Sequence, residues 1–406
     1  MSQAIERAAA VSFVLLVAAL PWSIAPMSIG VALCGALTLA AWWRPGGARW
    51  CHTPVDWPAL GWLAALAIAT LTAQDPAASA GRITKGFLLA IVPVAAYHGR
   101  DPKLARRAIV VLLVSAAAAT IFALAKFMAQ GAAFPARVRG AVGHPLTYGG
   151  QAMLLATLAA ALLLRARDRR WKIGAAALLA ALAPALLGSF TRSAWIGTIV
   201  AFGVILAATR ARWLAILAGG LAVLFLVLPS GYRERALSAF DPTSHWNVER
   251  VRLWTAGWKI FRDHPVTGVG LQDLHPWIER YHSPEPHEPH GHLHSIYVQI
   301  AASMGIVGLA AFGWLAVGLF RTAGRGWWAD RRATCLEGAG SAGLDDGFGT
   351  ALRIAAVAAV AGFLVAGLFE WNFGDEELVD FLFTLVGLAF AAGGWGKTWP
   401  GARPSS

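Results

Sequence analysis

Of the 406 residues, 57% are hydrophobic and only 14% are charged, with a mean hydropathy of +0.56. Soluble domains carry about 25% charged residues, so this composition excludes a soluble globular fold and makes the bilayer the main solvent. The net charge of +12 does not indicate nucleic acid, because the basic residues fall at the ends of apolar runs instead of gathering in one tail or patch.

Those runs are rich in Ala and Leu and lack the two-residue alternation of a barrel strand, so they are predicted to be helices. In chain order they occupy residues 8–25, 28–43, 57–73, 84–98, 107–129, 146–164, 173–190, 194–209, 213–229, 295–320, 352–370 and 377–394. The expected fold is an all-α polytopic membrane protein with about twelve spans. The first run imitates the core of a signal peptide, but the next follows almost at once, and it is taken as the first span.

Alternate breaks are basic: Arg44 and Arg49, Arg100 to Arg107, Arg165 to Lys172, Arg210 and Arg212, and Arg321 to Arg332. The intervening breaks near residues 26, 78, 192 and 372 are poor in Lys and Arg. Cytoplasmic loops hold the positive excess, which predicts both termini inside and the long segment before residue 295 outside. Four parts follow: spans over 1–229, a periplasmic loop with short helices over 230–294, further spans over 295–394, and a cytoplasmic tail over 395–406. Gly338 to Gly349 reads as a flexible loop. Cys34, Cys51 and Cys335 show neither metal-ligand spacing nor a disulfide framework.

Residues that orientation does not explain are the informative ones. Arg192 lies in a break of a few residues, Gly188-Ser189-Phe190-Thr191-Arg192-Ser193, between two apolar runs. A guanidinium held at the membrane boundary is costly and marks a functional site, the alternative being a side chain snorkelling to lipid phosphate. Further basic residues, among them Arg137, Arg139, Arg235, Arg250 and Arg252, lie on the same expected face; each taken alone fits a solvated surface charge.

Eight of the eleven histidines fall between His245 and His294. The run His287-x-x-His290-x-His292-x-His294 has the density of a metal site, yet no Cys, no HExxH pair and no carboxylate at a supporting spacing accompanies it. The reading adopted is one general base among surface histidines, with no metal. His294 is the best placed, because it precedes Ser295, a candidate N-cap for the helix starting Ile296-Tyr297-Val298. Phe127, Tyr148, Trp195 and Trp254 could line a lipid groove or act as interfacial anchors.

Several of these segments resemble a known family. They are Ser189-Phe190-Thr191-Arg192-Ser193-Ala194-Trp195-Ile196-Gly197, then Arg250-Val251-Arg252-Leu253-Trp254 followed by His264-Pro265-Val266-Thr267-Gly268-Val269-Gly270, then His292-Leu293-His294-Ser295-Ile296-Tyr297 and Met304-Gly305-Ile306-Val307-Gly308. In this order they are similar to the O-antigen ligase/polymerase superfamily, over roughly residues 135–320. Arg139-Gly140-Ala141 and the Pro145-Leu146-Thr147-Tyr148-Gly149 helix start look like the ligase branch. Ser295 stands where that family more often has Asn.

The resemblance implies a fold of the GT-C type and glycosyl transfer at the periplasmic face of a bacterial inner membrane. The donor would be a polysaccharide on undecaprenyl diphosphate and the acceptor the lipid A core, with membrane lipid as surroundings and no nucleic acid, cofactor or metal needed. It assigns His294 to catalysis and Arg192, Arg250, Arg252 and Arg139 to the diphosphate, leaving open whether Arg250 or Arg252 is the contact. An O-antigen polymerase or a protein oligosaccharyltransferase would use the same motifs, and a lipid or solute transporter is the rival from another class. Spans almost free of Asp, Glu and Lys argue against conduction.

Overall fold

The structure is a computed structural model describing residues 2–43, 52–132, 136–281, 291–321 and 347–395, all helix and connecting segments with no strand among them. The helices are α1 Ser2–Ala19, α2 Ile24–Trp42, α3 Asp56–Leu71, α4 Pro76–Ala80, α5 Ile91–Gly99, α6 Pro102–Ala129, α7 Pro145–Arg165, α8 Arg169–Gly188, α9 Arg192–Thr209, α10 Leu214–Val227, α11 Ser230–Leu237, α12 His245–Asp263, α13 His275–Tyr281, α14 Ile296–Phe320, α15 Phe348–Ala366 and α16 Glu376–Ala392. A 3-10 stretch, Ile83–Ala90, leads into α5.

Each of the twelve apolar runs is therefore helical. Among the described residues eight helical segments are long and apolar enough to cross a membrane, and α3 and the segment through α10 are shorter apolar helices. The first run begins earlier than its apolar stretch suggests and stops at Ala19, since Pro21 cannot continue a helix. Most of the Gly338–Gly349 stretch, Cys51, Cys335, His287, His290 and the tail lie outside the described residues.

Helices α7, α9 and α15 pack together as a central group, α16 lies against α5, and α1 against α2. At the α9–α15 crossing a side chain on Gly197 would meet the Gly362 carbonyl at 2.8 Å, so glycines on both helices let the backbones touch. Membrane helices gain packing in this way where apolar burial offers no net drive. The breaks expected outside meet at one end of the bundle: Gln151 donates to Leu20 O, Thr147 to Asp375 Oδ2 and Lys85 to Gly374 O. Breaks expected inside meet at the other, where Arg106 lies over Phe348 and Trp171 packs on the same ring.

A second, smaller core of Leu253, Ile260, Val269, Leu274, Trp277, Ile278 and Leu293 ties α12 and α13 to α14. The Pro265-Val266-Thr267-Gly268-Val269-Gly270 segment makes this attachment specific. Helix α14 is interrupted at Gly305 (φ 60°, ψ −154°), which frees backbone groups that must find partners. Ile306 and Val307 donate to the carbonyls of Pro265 and Val266, and Val269 and Gly270 donate to those of Ala302 and Ser303, all at 2.9–3.2 Å apart from Ile306 at 2.8 Å. Only glycine suits this exchange, because a Cβ on Gly268 would sit 2.3 Å from the Ser303 carbonyl carbon.

Candidate active site

The break between α8 and α9 is a tight turn with three carbonyls exposed to capture. Val138 N donates to Gly188 O at 2.8 Å, Arg137 Nε to Ser189 O at 2.7 Å and Arg235 Nε to Phe190 O at 3.3 Å. Phe190 itself takes a left-handed φ of 51°, strained for a residue with a Cβ, and is held there by burial and by Tyr232 of α11 stacked at 4.5 Å. The turn thus launches Arg192 at the first position of α9 in a fixed direction.

The guanidinium of Arg192 is held by neutral acceptors. Nη1 donates to Ser238 Oγ at 3.1 Å and Nη2 to Asn247 Oδ1 at 3.0 Å. Asn247 is in turn fixed, its Nδ2 donating to the carbonyls of Ser238 and Asp241. Among the described residues no carboxylate lies within ion-pair distance of Arg192, Arg137, Arg235 or Arg250.

These four arginines line one cleft of about 480 Å³ with Asn247, Glu249, Trp254, His294 and Glu370. Sequence reasoning placed Arg192, Arg250 and His294 in one site, and the structure brings them to one cleft. Arg252 and Arg139 are not among its lining residues; Arg252 lies one turn along α12 from Glu249, Nη1 to Oε2 at 3.7 Å. Burial lowers Arg137 and Arg235 to about 10, with neighbouring cations adding to the effect. Both remain charged at neutral pH. Arg250 is lowered by burial and partly restored by the charge of Glu370.

Across the cleft, His294 stands at φ 45°, immediately before α14. Ser295 occupies the N-cap position as expected, but its side chain makes no capping bond. Ile296 N donates instead to Gly367 O at 2.8 Å, and Gln299 Oε1 reaches back to accept from Leu293 N at 2.9 Å. His294 Nδ1 lies 2.8 Å from Glu370 Oε1, which also accepts from Trp371 N.

Glu370 is only 8% exposed. Burial works against its ionisation, but the hydrogen bond from His294 and the neighbouring His292 imidazole outweigh this and hold the carboxyl well below the usual carboxylate range. His292 Nε2 is 3.8 Å from the same oxygen, so two imidazoles and a carboxylate form a donor set suited to a metal ion. Four lining residues carry buried polar atoms with no hydrogen-bond partner among the described residues: Glu249 Oε1, Arg250 Nε, Trp254 Nε1 and Glu370 Oε2. Buried polar groups are nearly always paired, so these mark the cleft as a place for a polar ligand.

Glu370, Arg137, Arg235, Asn247 and Glu249 are among the cleft residues that sequence reasoning did not assign to the site. Glu370 carried a readable signal: it is a carboxylate at the end of an apolar run, and the argument from cost that singles out Arg192 applies to it equally. Of the aromatic candidates for a lipid groove, Phe127 and Tyr148 are core residues, 5% and 4% exposed. Trp195 donates to Leu186 O, and only Trp254 reaches the cleft.

Comparison with known proteins gives one family. Residues 176–313 match the family described as O-antigen ligase, a family of membrane enzymes that transfer glycosyl chains. The matched segment carries Arg192, Arg250, His292 and His294, whereas Arg137 and Glu370 lie on either side of it. No curated protein matches the chain.

Proposed function

We propose that this multi-pass membrane protein, whose residues 176–313 form a domain of the O-antigen ligase family, is the enzyme that moves a finished polysaccharide from undecaprenyl diphosphate to the lipid A core at the periplasmic face of the inner membrane. The observation that carries this reading is a cleft in which guanidinium groups, with no carboxylate at ion-pair distance among the described residues, face an imidazole held by a buried carboxylate.

Breaking the anomeric C–O bond leaves undecaprenyl diphosphate with one more negative charge than it had in the donor. Arg192 and Arg250 are placed to bind its oxygens, since planar guanidinium forks match such oxygens bidentately. Their effect grows with the developing charge, so it stabilises the transition state more than the ground state. Arg137 and Arg235 extend the same wall. Arg252 and Arg139, off the lining, would add only to the longer-range field.

His294 takes the proton of the attacking acceptor hydroxyl. With Nδ1 committed to Glu370, Nε2 is the accepting atom, and Glu370 fixes the tautomer and stabilises the imidazolium that forms, as an orienting carboxylate does for a histidine base. Attack opposite the departing diphosphate in one displacement inverts the anomeric centre. The donor is already activated, so neither a nucleotide nor a metal takes part.

Purified protein in lipid, given lipid-linked polymer and core lipid, should yield a ladder of capped lipopolysaccharide. Growth of polymer on the carrier lipid without capping would instead identify a polymerase, and modification of added protein an oligosaccharyltransferase. Failure to consume lipid-linked polymer with any acceptor would remove the glycosyl-transfer reading.

A further inference from the structure

We propose that His292, His294 and Glu370 bind one divalent transition-metal ion such as zinc, and that the bound ion inhibits the enzyme by occupying the catalytic imidazole. The inhibition rests on the role assigned to His294 above; the binding rests on geometry alone.

One donor atom from each residue lies within 4.8 Å of the others. Zinc bonds of about 2.0–2.1 Å in a tetrahedral site put neighbouring donors roughly 3.3 Å apart. The separations from Glu370 Oε1, 2.8 Å to His294 Nδ1 and 3.8 Å to His292 Nε2, straddle that value, so half an ångström of side-chain adjustment in either direction forms the site. The two rings already lie with centroids 4.3 Å apart and planes inclined at 49°.

An independent observation points the same way. Glu370 is more than nine-tenths buried, and its second oxygen, Oε2, has no partner among the described residues. A buried carboxylate with an unmatched lone pair is costly unless a cation or donor meets it. Two imidazoles with one carboxylate suit zinc, copper or nickel and not magnesium or calcium, which select all-oxygen sets.

Inhibition follows from counting lone pairs. A neutral imidazole has one ring nitrogen with a lone pair and one with a proton. In turnover Nδ1 carries the proton toward Glu370 and Nε2 has the lone pair for the acceptor hydroxyl. A metal that takes Nδ1 forces the proton onto Nε2, and the ring can no longer accept one. His292 is not the proton acceptor in this scheme, so removing it takes away a metal ligand while leaving the His294 ring in place, which separates the two effects.

The test is a zinc titration of the full-length protein in detergent or nanodiscs, freed of metal beforehand, read by calorimetry and by metal content after desalting. Transfer of lipid-linked polymer is measured in parallel. Wild type should bind one zinc and lose turnover over the same concentration range. His292→Ala and Glu370→Gln should each weaken binding by more than about tenfold, since losing a ligand costs at least what losing a supporting contact does. The turnover of His292→Ala, compared with that variant's own metal-free rate, should resist zinc. No stoichiometric binding by wild type, binding unchanged in both variants, or binding without loss of turnover each overturns the proposal. If the protein shows no transfer activity at all, the calorimetry and metal content still decide the site, and only the ligase reading falls.

Discussion

The two walls of the cleft handle charge in opposite ways. On one side Arg192 is fastened by a hydroxyl and an amide, Arg137 and Arg235 by backbone carbonyls, and among the described residues none of them meets a carboxylate within ion-pair range. On the other, His294 Nδ1 and Glu370 Oε1 are paired at 2.8 Å. Neutral acceptors fix a guanidinium's direction without cancelling its charge, so the first wall keeps its attraction for an anion. A hydrogen-bonded imidazole and carboxylate offer an anion no attraction and instead define where a proton sits. One wall is built to hold a leaving group and the other to manage a proton.

Substitutions can break this division. His294→Ala should reduce polymer transfer by on the order of 10²–10⁴, the usual value of a general base, with donor binding retained. Arg192→Ala and Arg250→Ala should each cost roughly a hundredfold or more, with Arg192→Lys recovering little because an ammonium cannot bind bidentately. If the histidine variant instead loses donor binding, or the arginine variants keep wild-type rates after correct insertion, the walls do not differ as described. Glu370→Gln keeps a hydrogen-bond acceptor but removes the charge, and a loss of about tenfold to a hundredfold in kcat is expected, as for other carboxylates that orient a histidine.

Asp375 offers a test through stability. Burial, reinforced by the charges of Glu370 and Glu377, raises its carboxyl from 3.8 to about 7. A raised folded value means that the contribution of Asp375 is fully present below pH about 4 and is lost as pH rises through 7. The thermal midpoint of solubilised wild type should therefore fall over that window relative to Asp375→Asn, whose profile should be flatter; parallel profiles would remove Asp375 as the cause. The smallest effect is expected from Arg139→Ala and Arg252→Ala. Off the cleft lining, they should change transfer by less than about threefold, and the change should shrink with added salt.

How much was legible in the sequence differs between the two walls. Arg192 announced itself because a cation in a short break between apolar runs has few places to go. Arg250 came from a resemblance to known motifs, and its neighbour Arg252 could be separated from it only when α12 showed which face meets the cleft. The histidine run suggested a metal or a base, but its carboxylate is 76 positions away at Glu370 and no local pattern connects the two. The expected N-cap at Ser295 was right in position and wrong in chemistry: its hydroxyl makes no capping bond, and it is the Gly367 carbonyl that meets the first free N–H, that of Ile296.

By itself the sequence determined the solvent, the helices and the end of the bundle at which leftover cations gather, because hydropathy and charge act locally and with a period that can be read along the chain. Tertiary structure alone decided which charges remain unneutralised and which are paired. That outcome depends on distances of a few ångströms between side chains brought together by the exchange of backbone bonds at Gly268 and Gly305 and by the turn at Phe190, and no one-dimensional pattern encodes it.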